Sequence, residues 1–260
     1  MPDRSEPAPR AEQGCLYSFL AHFEAGEVLD AACGGGEFTE LLVNHLNGFH
    51  RLIGVDPDKD SLDEARLLFD DRRIRFARNS IEELTYASGR FALVTVSNAL
   101  HHLERPLDAL RRLWELVAPG GALLLHEMIA DELDAAEINY RDLHHLKAAI
   151  DRQLGSVHNS TYTHDDLRRL VSEAATALQP GRPAPQLLLD CVEASAPEGD
   201  ESVTARLEFI EEYVSRVRDR SARERFDKNL ARLHQRVLVD GLQVPRRAVI
   251  ALGRSREPSE

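Results

Sequence analysis

Cysteine is scarce in this chain: three residues in 260, at 15, 33 and 191, with no CxxC pair. Three cysteines without such a pair make no disulfide framework. The expectation is unpaired cysteines in a reducing cytoplasm. Long apolar runs are also missing, and no stretch reaches the roughly 18–20 residues a membrane-spanning helix needs. Positive charge is in deficit, with 32 Lys and Arg against 44 Asp and Glu and a net charge of −12. General nucleic-acid surfaces rely on clustered Lys and Arg, so this balance argues against one while leaving room for a local basic groove. No HExxH or similarly tight ligand spacing occurs, so no metal site is assigned. Internal repeats and low-complexity tracts are absent.

What is present is enough apolar sequence, 43% of the chain, to bury the core of one domain with an elaboration. The most informative stretch is Val28-Leu29-Asp30-Ala31-Ala32-Cys33-Gly34-Gly35-Gly36-Glu37-Phe38-Thr39. It reads as a buried strand with an acid at its end, a glycine turn and a helix start. Glycines let a backbone turn tightly and approach a ligand closely. Asp30 at the tip disfavours a phosphate and favours an amino-bearing ligand. A second apolar strand, Arg51-Leu52-Ile53-Gly54-Val55-Asp56, again ends in an acid. In open α/β sheets ligands lie beyond the carboxyl ends of the strands, where such an acid can hold ribose hydroxyls. A third strand runs from Ile74 towards Asn79-Ser80, and a fourth, from Phe91, leads into Asn98 and His101-His102. Helical faces separate them: Leu62, Ala65 and Phe69 behind a Ser61–Glu64 capping box, then Leu107, Leu110, Trp114 and Val117 before Pro119-Gly120-Gly121.

These segments, taken in order from Val28 to Glu127, resemble the class I S-adenosylmethionine-dependent methyltransferases. The resemblance implies an α/β fold: a Rossmann-like, seven-stranded, mostly parallel sheet flanked by helices, with helical insertions after strand 5 and between strands 6 and 7. It implies S-adenosyl-L-methionine as cofactor, S-adenosyl-L-homocysteine as product, and Asp30, Ala32, Cys33, Gly34, Gly36, Asp56, Pro57, Asn79, Ser80 and Asn98 as the cofactor-binding set. Two positions depart from the pattern. Ala32 stands where the first loop glycine is usual, which matters if that position needs positive φ. Asn79 replaces a more frequent aspartate at the adenine position. Cys33 reads as a small packing residue beside the cofactor.

Residues 1–13 read as a disordered leader, 14–132 as the cofactor-binding core, 133–178 as a helical insertion or lid, and 179–260 as the rest of the sheet with a charged helical region. Within these, 133–154 is helical, Gly155 turns, and Thr163–Asp166 opens a further helix. Gln186 to Val192 forms a sixth strand and Arg247 to Leu252 a seventh, on either side of a charged helical stretch, 202–240, with a break near Ser221. The interleaved charges there read as a solvated, ion-paired face.

Methyl transfer from a sulfonium is an in-line displacement that depends chiefly on positioning. A base is needed only where the acceptor must lose a proton, so the acceptor half of the site is the less legible one. His101, His126 and Glu127 are the candidate catalytic residues, at the ends of strands 4 and 5. His102, Arg141, His144, His145, His158 and Tyr162 are candidates for the acceptor pocket. On a helix, His144, Ala148 and Asp151 share one stripe and Arg141, His145 and Arg152 another. Such polar density fits a solvated helix surface, a pocket lining or a metal site, in that order. The acidic surface and covering insertion favour a small-molecule O, N or C acceptor in a cytoplasmic enzyme, with no membrane association, nucleic acid disfavoured and a homodimer allowed. A macromolecular acceptor such as tRNA or protein, or a cofactor-binding module without turnover, are the alternatives. The strand-4 tip, Ser97-Asn98-Ala99-Leu100, lacks the Asn/Asp-Pro-Pro-aromatic loop of many enzymes that methylate planar nitrogens in nucleic acids and proteins.

Overall fold

The computed structural model describes residues 14–176, 183–195 and 200–256, with the side chains of 200–202 excepted. The leader at 1–13 and part of the proline-containing connector before strand 6 lie outside them. Seven strands form one sheet: β1 (Glu27–Ala31), β2 (Arg51–Asp56), β3 (Ile74–Arg78), β4 (Phe91–Ser97), β5 (Val117–Met128), β6 (Gln186–Glu193) and β7 (Arg247–Gly253). Their order is β3-β2-β1-β4-β5-β7-β6. The first five pair in parallel, while β7 runs antiparallel to both β5 and β6. This is the expected seven-stranded, mostly parallel architecture. A parallel strand is covered on both faces, which is why Val28-Leu29, Leu52-Ile53 and Leu93-Val94 read as unbroken apolar runs and are all buried.

Among the described residues eight α-helices complete the fold: α1 (Cys15–His22), α2 (Glu37–His45), α3 (Lys59–Leu67), α4 (Pro106–Leu116), α5 (Ala135–Gln153), α6 (His164–Thr176), α7 (Asp200–Ser215) and α8 (Arg220–Asp240). On one face of the sheet Leu110, Leu113 and Trp114 of α4 pack with Leu167, Val171 and Ala174 of α6. On the other, Leu16 and Leu20 of α1 and Leu42 of α2 pack with Leu52, Leu93 and Leu124. A third apolar cluster stands apart from the sheet, where Leu143, Leu146 and Ile150 of α5 meet Ile210 and Val214 of α7 and Phe226, Leu230 and Leu233 of α8.

Several local expectations are corrected. The N-cap of α3 is Asp58, whose carboxylate accepts from the Ser61 amide, so the helix starts before the Ser61–Glu64 box and ends at Leu67. α4 ends at Leu116, and Val117 with Pro119-Gly120-Gly121 belongs to β5. Within the segment read as an insertion, α6 packs against α4 and β7 on the sheet, whereas α5 packs with α7 and α8. The break in the charged region falls at 216–219, where Asp219 caps α8. The expectation of unpaired thiols also fails: Cys15 of α1 and Cys191 of β6 form a disulfide across 176 positions, leaving Cys33 free and buried. Sequence spacing could not show that α1 lies along the β6 edge, where the Leu16 amide also donates to Glu193 at 2.6 Å. Of the expected ion pairing, Arg216–Glu212 and Arg220–Glu224 run along the helices, and Arg236 ties α8 to Asp142 of α5 at 2.6 Å.

Candidate active site

The carboxyl ends of β1, β2 and β4 lie side by side, and the first loop crosses them. Ala32 has φ +54°, Gly34 +52° and Gly36 +95°. A Cβ on Gly36 would come within 3.1 Å of the Ala65 Cβ, so glycine lets α2 approach α3, whereas one on Gly34 would meet nothing within 4 Å. Gly34 therefore borders open space in front of the loop. In β2 a Cβ on Gly54 would collide with Phe76 at 2.6 Å and the Cys33 thiol at 2.9 Å. Cys33 is thus packed under the loop, where burial pushes its thiol pKa up, with Asp30 and Asp56 adding to the shift.

Ala32 occupies the left-handed region that its position demands, which for an L-residue costs about 1–2 kcal/mol. Ala32→Gly removes that strain and adds some unfolded-state entropy, for an expected net gain of about 0.5–1 kcal/mol. A rise in urea midpoint would show it, and an unchanged or lowered midpoint would place the strain elsewhere.

The two tip acids differ in surroundings. Asp30 is 1% exposed and holds one hydroxyl on each carboxylate oxygen, Thr39 at 2.6 Å and Thr95 at 2.8 Å. It thereby ties β1 to α2 and β4. Burial raises its pKa to about 6 against the opposing effect of the two hydroxyls. Asp56 is 9% exposed and bonds backbone instead of side chains, accepting from the Gly34 amide at 2.9 Å and the Asp58 amide at 2.8 Å. Asn79 follows β3 with its amide on the Asp56 carbonyl, and its side chain and that of Ser80 are partly exposed. Pro57 is exposed, its carbonyl held by Arg78. Asn98, also left-handed at φ +47°, joins β4 to β5: its amide donates to the His126 carbonyl, and its Oδ1 accepts from the Met128 amide.

Glu127 and His126 point to opposite faces of β5. Glu127 is 1% exposed, with Oε1 accepting from the amides of Ala99 (2.6 Å) and Leu100 (2.7 Å) and Oε2 3.3 Å from His101 Nδ1. It ties the turn after β4 to β5 and faces His101. His126 bonds Ser97 through Nδ1 at 2.9 Å and stacks on Phe38 of α2. Burial, aided by the charge of Arg247, lowers its pKa to about 3. A histidine buried neutral gives stability that is present above the unfolded pKa near 6.5 and lost as pH falls towards 3, about 2 kcal/mol at pH 5. His126→Leu is therefore expected to flatten the loss of urea stability between pH 7 and 5, and an unaltered slope would remove His126 as its source.

The acceptor candidates divide into two groups. His101, His144 and His158 converge, one ring nitrogen from each lying within 4.8 Å of the others. His102 is exposed on the rim, its ring 4.2 Å from that of His158. His158 comes from the loop after α5, which the Asn159 amide fastens to the His101 carbonyl at 2.7 Å. Asp151 receives His158 Nδ1 (2.6 Å), Lys147 (2.7 Å) and the Tyr213 hydroxyl (2.7 Å). Burial works to raise the Asp151 pKa, but these three donors prevail and hold it at about 2. Arg141, His145 and Tyr162 lie outside this convergence. Arg141 holds the Ala130 carbonyl and Asp142, and His145 Nε2 accepts from the Thr161 amide. Tyr162 bridges to Ile129 beside β5 and packs on the main core. Thr39, Thr95 and Gly54 went unread in the sequence, because hydroxyls and a glycine inside apolar segments signal nothing until the strands are paired.

Residues 28–121 match the family described as Methyltransferase domain. The chain is 32% identical over 116 residues to a tRNA U34 carboxymethyltransferase of Klebsiella pneumoniae, covering 43% of this chain and 34% of that protein. It is 33% identical over 115 residues to an uncharacterised protein of Synechococcus, covering 43% and 27%. The match thus spans about a third or less of either relative's length. A solved S-adenosylmethionine-dependent methyltransferase from Mesorhizobium loti shares the fold at a TM-score of 0.53, with 17% identity over 92% of this chain and 96% of that one.

Proposed function

We propose that this chain, a class I S-adenosylmethionine-dependent methyltransferase by its domain and fold, methylates a small-molecule O, N or C nucleophile held beneath the α5, α7 and α8 layer. One observation supports the reading above others: Asp56 ends the strand next to β1 and receives the Gly34 amide, so an acid and a glycine loop with open space before it meet at one crevice. That pairing fits a nucleoside with free ribose hydroxyls, the ligand expected at the carboxyl end of such a sheet. In this reading Asp56 holds the ribose, Asn79 and Ser80 flank the adenine, and the Gly34–Gly36 backbone borders the methionine portion. The bound cofactor would supply an electrophilic methyl group on a sulfonium. Asp30, engaged by Thr39 and Thr95, keeps the loop in shape from below.

Turnover then depends on water exclusion and alignment, which the covering helices and the segment from His101 to Leu103 provide. Among the described residues no helix is long and apolar enough to cross a membrane. We place the enzyme in the cytoplasm, where the Leu16–Glu193 contact and the buried Leu16 and Leu20 would hold α1 even with the disulfide reduced.

A macromolecular acceptor is the second reading, and a feature of this chain favours it beyond the relative's name. A cleft of about 780 Å³ between α5 and α8 is lined by Arg152, Arg225, Arg232 and Arg236, with Asp142 paired to the last of them, so positive charge is in local excess on an acidic protein. Calorimetry with S-adenosylmethionine, followed by assays for S-adenosylhomocysteine with small-molecule panels and with bulk tRNA, separates the readings. Product with small acceptors supports the first, and product with tRNA alone replaces it with the second. Binding without product on either would leave a cofactor-binding module, and no binding would overturn both.

A further inference from the structure

We infer that His101, His144 and His158 form a site for one divalent transition ion, of the zinc or cobalt type, at the acceptor side of the crevice. The inference rests on the proposed methyltransfer for its purpose, but not for its test. The three ligands come from separate elements: His101 from the turn after β4, His144 from the middle of α5 and His158 from the loop behind it. Their rings meet at centroid distances of 4.9 Å (His101–His144), 4.8 Å (His144–His158) and 5.5 Å (His101–His158). Such convergence from distant parts of the chain is not a by-product of helical spacing.

Proton placement makes the cluster ligand-like. Asp151 accepts from Nδ1 of His158, and Glu127 lies against Nδ1 of His101. A carboxylate at Nδ1 fixes the proton there and leaves Nε2 as a lone pair, the arrangement by which metal-binding histidines are oriented. His158 Nε2 faces Nε2 of His144 at 3.1 Å. Two nitrogens at that distance require a proton or a cation between them. Each carboxylate is itself anchored, Asp151 by Lys147 and Tyr213, Glu127 by two backbone amides. Both orienting groups are thus tied to the protein, as a preorganised site requires.

Three imidazole ligands leave a fourth coordination position open, which is the pattern of a catalytic zinc and not of a closed structural one. Imidazole donors suit zinc, copper, iron and nickel over magnesium or calcium. The open position would take the hydroxyl or thiol of the acceptor. On coordination its O–H or S–H proton would pass to solvent, and the metal-held anion would attack the methyl carbon. The new C–O or C–S bond would form as the sulfonium C–S bond breaks, with that electron pair remaining on the departing sulfur. No oxidant or further reactant is needed. This narrows the acceptor class to an alcohol, phenol or thiol.

The test uses the full chain, stripped with chelator and titrated with Co²⁺ and Zn²⁺, following calorimetric stoichiometry and the visible cobalt spectrum. One equivalent with an imidazole-type cobalt spectrum is expected, lost in His144→Ala and in His158→Gln. Asp151→Asn is expected to weaken binding by about 10- to 100-fold as an orienting partner. Folding of each variant is checked by circular dichroism. S-adenosylmethionine affinity is measured in parallel and is expected to persist in His144→Ala, so loss of metal uptake and failure of the cofactor reading are separate results. Folded wild-type protein that takes up no stoichiometric Co²⁺ or Zn²⁺ overturns the inference. So does uptake unchanged in the histidine variants, which would direct the ion to other residues.

Discussion

Glu127→Ala is expected to destabilise the protein by about 2–5 kcal/mol, because it leaves two buried backbone amides without an acceptor, at about 1–3 kcal/mol each. The Ala99 and Leu100 amides would lose their acceptor in a place where water does not replace it, and His101 would lose the group that orients it. Glu127→Gln keeps a carbonyl oxygen that can serve the two amides, so its cost is expected to be about 1–2 kcal/mol. Urea unfolding of the two variants beside the wild type reads the difference. If alanine costs no more than glutamine, the carboxylate is not what holds the turn after β4. The glutamine variant has a second use, since it preserves the backbone turn while altering the environment of His101 Nδ1. A loss of turnover with cofactor affinity intact would then report on His101 positioning and not on folding.

Asp56→Ala carries the largest expected effect on cofactor binding. Charged hydrogen bonds to two ribose hydroxyls are worth about 1–3 kcal/mol together, or roughly 5- to 150-fold in Kd. The same substitution releases the Gly34 and Asp58 amides, so the loop loses an anchor as well as the ligand an acceptor. Asp56→Asn separates the two contributions. It retains an acceptor for one amide but no charge, so calorimetry with S-adenosylmethionine is expected to place it between wild type and alanine. Wild-type affinity in Asp56→Ala would take this residue out of the site and the nucleoside reading with it.

The strands were legible because a sheet covered on both faces needs apolar runs, and each of the first four carried a polar residue at or next to its carboxyl end. The stripe carrying His144 and Asp151 was visible from helical spacing alone. That His101 and His158 complete it was not, since they enter from a turn and a loop that only the paired sheet brings together. Glu127 was expected at the strand end, but the structure shows it bonded to backbone amides, a role that side-chain chemistry does not reveal. Ala32 was recognised as an exception to the loop pattern, and its positive φ gives the physical content of that exception. That α5 and α6 pack on different partners was not legible, because both are amphipathic. Period identifies the buried face of a helix and not the partner that buries it. The Cys15–Cys191 bond escaped for a similar reason, as it depends on where α1 lands along a distant edge.

The position of β7 bears on how the protein is made. This strand enters between β5 and β6 and supplies the hydrogen-bonding neighbour of β6. During synthesis, β1 to β5 can therefore assemble as they emerge, whereas β6 must wait with an open edge until α7, α8 and finally residues 247–253 have left the ribosome. Release of the last strand acts as a keystone in time, so a ribosome stalled after β6 has emerged but before residues 247–253 have would hold a nascent chain with β1 to β5 free to pair and β6 without its neighbour.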